Sequence, residues 1–493
     1  MSRRYLLPLA GLAGTALYSS LALNSPQPQY DCAIIGGGII GLAIARECAS
    51  RGFSVVLLEK NATVASEASS GNSGIGHTGY DAPEGSIERK LLRRSIRLHQ
   101  HLYRTFGLSH DHVRKSGSLV VAWNKEQLSK LPDVYEENRA AGDVDAVLLS
   151  KTDLMKLDAG ISDRALGAVL CPYEAVVEPW LVAMGYLESA RQHGVDIRVR
   201  TKVTGVEFDG RHWNVRTVLS NEDAPFNRSH AGSIVVEESQ VEATSIAGFE
   251  HCVAAKVVIN AAGLYGDQVE KLTCGESSFT IVPRKGQFLV FEKTDCLDYI
   301  IEPVASQFTK GIIVWKTVYG NIVVGPTAVD QTSKTDVSTD VNTLMVLEQF
   351  ARDVVPCLKS AKVVGSYSGL RPASEFRDYQ ISSSKQWIKV GGIRSTGLSC
   401  ASAIGEYVAD LTHVILVDPS FIPWIDREDN EVGVSESAAS PLPVKVMKQC
   451  EKVPALEILQ KNYQDRNDGT VLLYGKPQVV THPISVFGMR SDI

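Results

Sequence analysis

Gly36, Gly38 and Gly41 stand in the spacing G-x-G-x-x-G, and Glu59 followed by Lys60 comes roughly twenty residues on, a combination suited to gripping a pyrophosphate and a ribose. Gly36 permits a tight turn, Gly38 lets the backbone approach the phosphates, and Gly41 lets a helix lie close to the preceding strand. The start of that helix offers unpaired N–H groups and a partial positive charge. Glu59 would accept hydrogen bonds from the ribose hydroxyls. The flanking residues supply the elements this requires. Asp31 to Ile35 is a short apolar strand; Leu42, Ala45, Cys48 and Ala49 form an apolar stripe at helical spacing that Gly52 ends; Ser54 to Leu58 is a second strand. A βαβ unit whose glycines only serve packing is the bland alternative.

Three later stretches converge on the same sheet edge. The run Ala65 to Ser86 is rich in Gly and Ser and carries Asn72, Ser73 and His77. It is too poor in apolar residues to form a core, and in an open α/β sheet it lies over the carboxyl ends of the strands, where cofactors bind. Val257 to Gly263, VVINAAG, ends a buried strand on small residues, as a ligand lying across the sheet edge demands. WIKVGGIRSTGLSCASAIGEYV then gives strand, glycine turn and helix again. Its turn, with Gly392, Arg394, Ser395, Thr396 and Gly397, is a second site for an anion or a carbonyl oxygen.

The remaining chain frames this site. With 493 residues, 44% of them hydrophobic, the protein can bury a large core divided over two or more domains, or over interleaved ones. A net charge of -6 and the absence of a long basic run give no reason to expect nucleic acid. The nine cysteines include no C-x-x-C pair, so neither a disulfide framework nor a metal site is expected, and reduced thiols in an intracellular compartment are. The first 29 residues pair Arg3 and Arg4 with an apolar stretch and end in a Ser-Pro-Gln-Pro linker. They read as a targeting or anchoring segment, mitochondrial or inner-membrane first and secretory or endomembrane second. Ile87 to Phe106 is an amphipathic helix whose arginines read as a solvated face. From Gly117, GSLVVAW is a strand, Lys125 to Ala141 a charged helix and the region to Asp158 a helix-rich insert, together a piece of a second domain; from Arg284 to Ser374 strands alternate with turns as an antiparallel sheet.

The motifs IIGGGIIGLAIA…LLEK, GNSGIGHTG, VVINAAG, RKGQFLV, YGNIVVGPTA, YSGLRPA and GGIRSTGLSCASAIGEYV, in this order from about Tyr30 to about Ile415, resemble the D-amino-acid-oxidase-type family of FAD-dependent oxidoreductases. The likeness is to its branch of L-2-hydroxyglutarate dehydrogenases or oxidases and FAD-linked glycerol-3-phosphate dehydrogenases. It implies an α/β fold: a Rossmann-like FAD-binding domain (30–116, 166–265, 381–417) interleaved with a mixed, largely antiparallel β-sheet substrate domain (117–165, 266–380). Residues 418–493 form a C-terminal extension outside the resemblance, with a Ser/Ala/Pro linker at Ser435 to Pro443; its one cysteine, Cys450, gives no support to an iron–sulfur module.

The resemblance further implies that FAD is held by Gly36, Gly38, Gly41, Glu59 and Lys60, with Asn72, Ser73 and His77 beside the flavin and Gly263 and the turn from Gly392 to Gly397 along it. Arg371, in G-L-R-P, matches the position that meets a substrate carboxylate, which a planar guanidinium holds with two parallel bonds. An internal salt bridge, with Glu375 near by, is the structural alternative. Oxidation of a secondary alcohol needs a base for the hydroxyl proton, and histidine, with an ordinary pKa of about 6.5, suits it. His77 is the candidate; a loop histidine that only hydrogen-bonds its surroundings is the alternative. Lys285 and Arg394 are candidates for a second substrate anion. The expected reaction is oxidation of a small 2-hydroxy acid, L-2-hydroxyglutarate first, with electrons passing to a quinone or to oxygen. Glycerol 3-phosphate and amino acids are the alternative substrates, and a non-catalytic flavoprotein is the alternative of another class. One departure stands out: the loop begins with Gly71 where the familiar form has a histidine.

Overall fold

The computed structural model describes residues 29–221, 251–304, 311–427 and 449–490. The anchoring segment expected at the N-terminus and the linker at Ser435 to Pro443 lie outside these. Among the described residues no helix is long and apolar enough to cross a membrane.

The chain passes back and forth between two sheets. In the first, Tyr30–Ile35 lies parallel to Val55–Leu58 on one side and to His251–Asn260 on the other. It is a central strand covered on both faces, which is why its sequence is an apolar run without alternation. Asp196–Arg198 extends this sheet beyond Val55–Leu58, the antiparallel pair Thr201–Phe208 and Trp213–Leu219 extends it the other way, and Trp387–Gly391 joins His251–Asn260 in parallel. The helix Ile39–Ser50 packs against Pro179–Gln192 and Gly397–Leu416, both apolar along the faces they bury.

The second sheet has nine strands, drawn from two separated parts of the chain: Ser118–Ala122, Val147–Ser150 and Gly167–Cys171, then the strands between Ile281 and Ser374. Its spine is the long antiparallel pair Ile281–Lys293 and Val363–Ser374. The expected interleaving is therefore present, with shifted limits. Gly167–Cys171, which the sequence reading gave to the cofactor domain, pairs with Ser118–Ala122 in the substrate sheet. Helix Gly266–Cys274, given to the substrate domain, packs on the cofactor sheet.

Three further expectations change. Cys296 and Cys357, 61 positions apart, form a disulfide, so the thiols are not all reduced; one lies in a loop and the other in the short 3₁₀ helix Pro356–Lys359, which only the folded chain brings together, and no spacing rule exposes them. The arginines of Ile87–Thr105 are not merely solvated: Arg93 forms a two-pronged bond with Asp143, and Arg94 does so with Glu406. The C-terminal part holds the helix Leu456–Arg466, the hairpin of Thr470–Leu473 with Lys476–Val479, and a last helix, Pro483–Met489, all seven residues of which are buried.

Candidate active site

At the cofactor end, Gly36 adopts φ +111°, a conformation open to glycine, and a Cβ there would meet the Ala261 carbonyl at 2.5 Å. A Cβ on Gly41 would lie 1.9 Å from the Gly36 carbonyl oxygen, so the helix can close on the turn only with glycine. Glu59 is buried; its two oxygens accept from the backbone N–H groups of Gly37 at 2.6 Å and Asn61 at 2.8 Å. Burial raises its pKa, opposed by those two N–H groups. The carboxylate thus ties the glycine turn to the strand end while facing the cavity. Lys60 lies over the Tyr265 ring, 4.7 Å from its centre, and pairs with Glu67. The hydroxyl of Ser69, a residue the sequence did not single out, accepts the N–H of Ile39 at the start of the helix.

Asn72 and Ser73 shape the loop rather than project from it. The Asn72 amide donates to the Ser69 carbonyl and accepts from Gly74 N–H, and Ser73 Oγ accepts from Ile75 N–H. Gly71 packs directly on Gly369 of the substrate sheet: a Cβ on Gly71 would come within 2.4 Å of the Gly369 Cα. This is the physical reason for the departure at Gly71, since no histidine fits there. On the late turn, Gly392 takes φ +67° and Ser395 is exposed. Glu88, at the start of the arginine-rich helix, accepts from Arg394 at 3.1 Å and from Thr396 Oγ1 at 2.7 Å, fixing both. Arg394 is therefore already engaged by a carboxylate. Ser399 Oγ accepts the backbone N–H of His77 and donates to the Ile75 carbonyl, which fastens the His77 loop to the helix after Gly397.

One cavity of about 970 Å³ runs from the glycine turn, past Gly263 and the late turn, to the substrate sheet. It brings Gly36, Glu59, Asn72, His77, Arg371 and Arg394 to a common wall. Lys285 is not among its lining residues; it pairs with Asp336 at 2.7 Å on the other side of its strand. Its neighbour Arg284 does line the cavity, held by Asp330 through two bonds of 2.6 and 2.9 Å.

At the substrate end, Arg371 donates to the Thr327 carbonyl at 3.1 Å. Glu375, the carboxylate weighed as its partner, accepts from Thr280 N–H instead. Burial, then the neighbouring Arg284, push the Arg371 pKa down to about 10, which leaves it a cation at neutral pH. His77 Nδ1 accepts the N–H of Gly79 at 2.8 Å; its Nε2 lies 3.6 Å from Glu174 Oε1 and 3.7 Å from Asp81 Oδ1. Glu302 lines the cavity beside it and accepts from the Tyr80 hydroxyl at 3.1 Å. The acids Asp81, Glu174 and Glu302 and the base-pairing Glu88 went unnoticed in the sequence, because each is a lone carboxylate in an otherwise ordinary strand, helix or loop.

A dinucleotide fold whose cavity continues into an inserted sheet, with a cation and a histidine at its far end, is that of an oxidoreductase whose cofactor would lie along the sheet edge. The glycine cradle and the length of the cavity fit FAD. Residues 31–411 match the FAD dependent oxidoreductase family, and the chain belongs to that family. Among its relatives, the glycerol 3-phosphate dehydrogenase of Caloramator mitchellensis is 29% identical over 462 residues, covering 90% of this chain and 88% of that protein. The mitochondrial L-2-hydroxyglutarate dehydrogenase of Bos taurus is 29% identical over 311 residues, covering 61% of each. Of solved structures, the FAD-bound L-alpha-glycerophosphate oxidase of Mycoplasma pneumoniae is 25% identical with a TM-score of 0.63, covering 76% of this chain and 92% of that one. Glycine oxidase of Bacillus cereus, 21% identical with a TM-score of 0.65, covers 80% of this chain and all of that one, and shares the fold. The protein is an FAD-dependent oxidoreductase. When bound, FAD supplies the acceptor for the two electrons of the oxidised substrate.

Proposed function

We propose that the protein oxidises a small secondary alcohol carrying one strongly anionic group, and that this substrate is glycerol 3-phosphate. The observation that carries the reading is the cation Arg371, with no carboxylate at ion-pair distance among the described residues, in a cavity that the acids Asp81 and Glu302 also line. A guanidinium whose forked donors are not taken by a carboxylate suits a phosphate, whereas Arg284 beside it is held by Asp330. A polyol body can hydrogen-bond to carboxylates, whereas a second carboxylate on the substrate would be repelled by them. Lys285, which would have supplied the second cationic contact for a dicarboxylate, is turned to Asp336. The fuller coverage of the glycerol 3-phosphate relative supports the same choice.

L-2-hydroxyglutarate stands as the second reading, supported by relatives of that name that match about two thirds of the chain or less. Anaerobic addition of each compound to the purified FAD-loaded protein decides between them. Bleaching of the flavin by glycerol 3-phosphate and not by L-2-hydroxyglutarate is the expected result; the converse would replace the first reading by the second.

A further inference from the structure

His77 is poorly arranged to take a proton. Its Nδ1 lone pair is already occupied by the Gly79 N–H, which fixes the neutral ring with its hydrogen on Nε2, the nitrogen that faces the acids. Taking a further proton on Nδ1 would break the Gly79 bond, and Nε2 has no lone pair to offer. Within 4.8 Å of one another lie ligand atoms of His77, Glu174 and Glu302. Glu174 is fully buried and Glu302 is 5% exposed. Two buried carboxyls this close cannot both ionise without a large penalty, so the pair favours holding one proton.

We propose that the proton acceptor for the oxidised alcohol is the Glu302–Glu174 carboxyl pair, with Glu302 as the catalytic base at the cavity wall, Glu174 as the positioning residue behind it, and His77 as a hydrogen-bond donor. The step balances simply. The hydroxyl O–H bond breaks and its proton goes to Glu302; the electron pair left on oxygen becomes the second C–O bond; the carbon-bound hydrogen leaves with its electron pair to bound FAD. Burial, then Glu302, push Glu174 up to about 8. The pair titrates as a unit, and it accepts a proton most readily once its shared proton has left. Among the described residues, the groups that face it include His77, Tyr80 and Asp81 from the loop and Cys171 from Gly167–Cys171, with Asp143, itself bound by Arg93, behind Cys171. Tyr80 and Cys171 are raised well above neutral pH by burial, so neither ionises in the same range.

This inference rests on the alcohol-oxidising reading, and its test separates the two. In the FAD-loaded protein, the anaerobic rate of flavin reduction by glycerol 3-phosphate should rise with pH through the upper ionisation of the pair, near pH 8. Glu302→Gln should slow reduction at saturating substrate by roughly 100-fold or more and remove that limb of the profile, with the flavin spectrum little changed. Glu174→Gln should shift the limb to lower pH, an effect that mere loss of packing would not produce. His77→Gln should slow the reaction and keep the limb. Retention of the limb in Glu302→Gln, or its loss in His77→Gln, would overturn the proposal. Infrared difference spectra of the holoprotein need no substrate. A protonated-carboxyl band at neutral pH that disappears in Glu174→Gln supports the pair, and its absence from the unsubstituted protein overturns it, whichever alcohol the enzyme takes.

Discussion

Arg284 and Arg371 stand directly opposite each other in the long antiparallel pair at one end of the substrate sheet. Like charges in that position repel across the strands. Arg284 is compensated by Asp330, whereas Arg371, half-buried, hydrogen-bonds the Thr327 carbonyl and feels Asp330 only from beyond ion-pair distance. Among the described residues no carboxylate lies within ion-pair distance of Arg371. The sheet thus carries an electrostatic cost at this point, which an anion in the cavity would offset.

Replacing Arg371 tests that account by giving opposite signs for binding and stability. Arg371→Met should raise KM by roughly 10- to 100-fold, the worth of a charge-assisted hydrogen bond, while FAD stays bound. The melting temperature should be unchanged or higher, because a desolvated cation without a carboxylate partner has been removed. Steady-state kinetics and thermal melts on the same preparations check both; a large fall in stability with unchanged KM would make Arg371 a structural residue.

The contact between Gly71 and Gly369 holds the cofactor loop against the substrate sheet. A Cβ on Gly369 would lie 2.1 Å from the Gly71 carbonyl oxygen, so neither position has room for a side chain. Gly71→Ala is expected to cost roughly 1–3 kcal/mol of stability, as overpacking of a tight contact does. It should also speed the release of FAD, read from the recovery of flavin fluorescence on dilution. Gly76→Ala, in the same loop but with its nearest neighbour at 3.6 Å, is the control expected to be milder.

The sequence displays the parts of this molecule that depend on local rules. The turn at Gly36 to Gly41, the apolar strands beside it and the small residues of VVINAAG are each dictated by close backbone approach, which only certain residue types tolerate. Arg371 is legible by its motif, but not its partner: Glu375 is the nearest carboxylate in sequence, and the fold sends it to Thr280. Lys285 and Arg284 are adjacent in a strand, so they must face opposite ways, and the sequence gives no phase by which to choose between them. Glu88, Glu174 and Glu302 come from a helix, a loop and a strand far apart in the chain. Their convergence is a property of the tertiary structure alone.

The Cys296–Cys357 bond closes a long loop across one end of the substrate sheet. A link of this kind stabilises chiefly by restricting the unfolded chain, typically by about 2–4 kcal/mol. Cys296→Ser should lower the urea midpoint by the corresponding amount. Dithiothreitol should lower the midpoint of the unsubstituted protein to a similar value and leave the variant unaffected. Equal midpoints with and without the reductant would mean the bond contributes nothing.

His482 couples the C-terminal part to the cofactor loop. It caps the last helix by accepting the Ile484 N–H at Nδ1, its ring meets Tyr367 edge to face at 6.2 Å, and the Tyr367 hydroxyl donates to the Asn72 carbonyl. The preceding Thr481 donates to the carbonyl of Ala65. Only 1% exposed, His482 is pushed down to about 3 by burial. An unfolded histidine has a pKa of about 6.5, so below that pH the unfolded chain takes up a proton that the folded protein refuses. Stability contributed by this residue is complete above about pH 6.5 and falls as pH drops toward 3. His482→Asn keeps a cap acceptor and removes the titration, so its stability should fall less steeply over that interval, by up to several kcal/mol at the acid end. Urea unfolding across the interval, followed at once by tryptophan and by flavin fluorescence, measures it. Because the ring leans on the residue that holds Asn72, the flavin signal of the unsubstituted protein should be lost at a higher pH than the tryptophan signal, and in His482→Asn the two should move together.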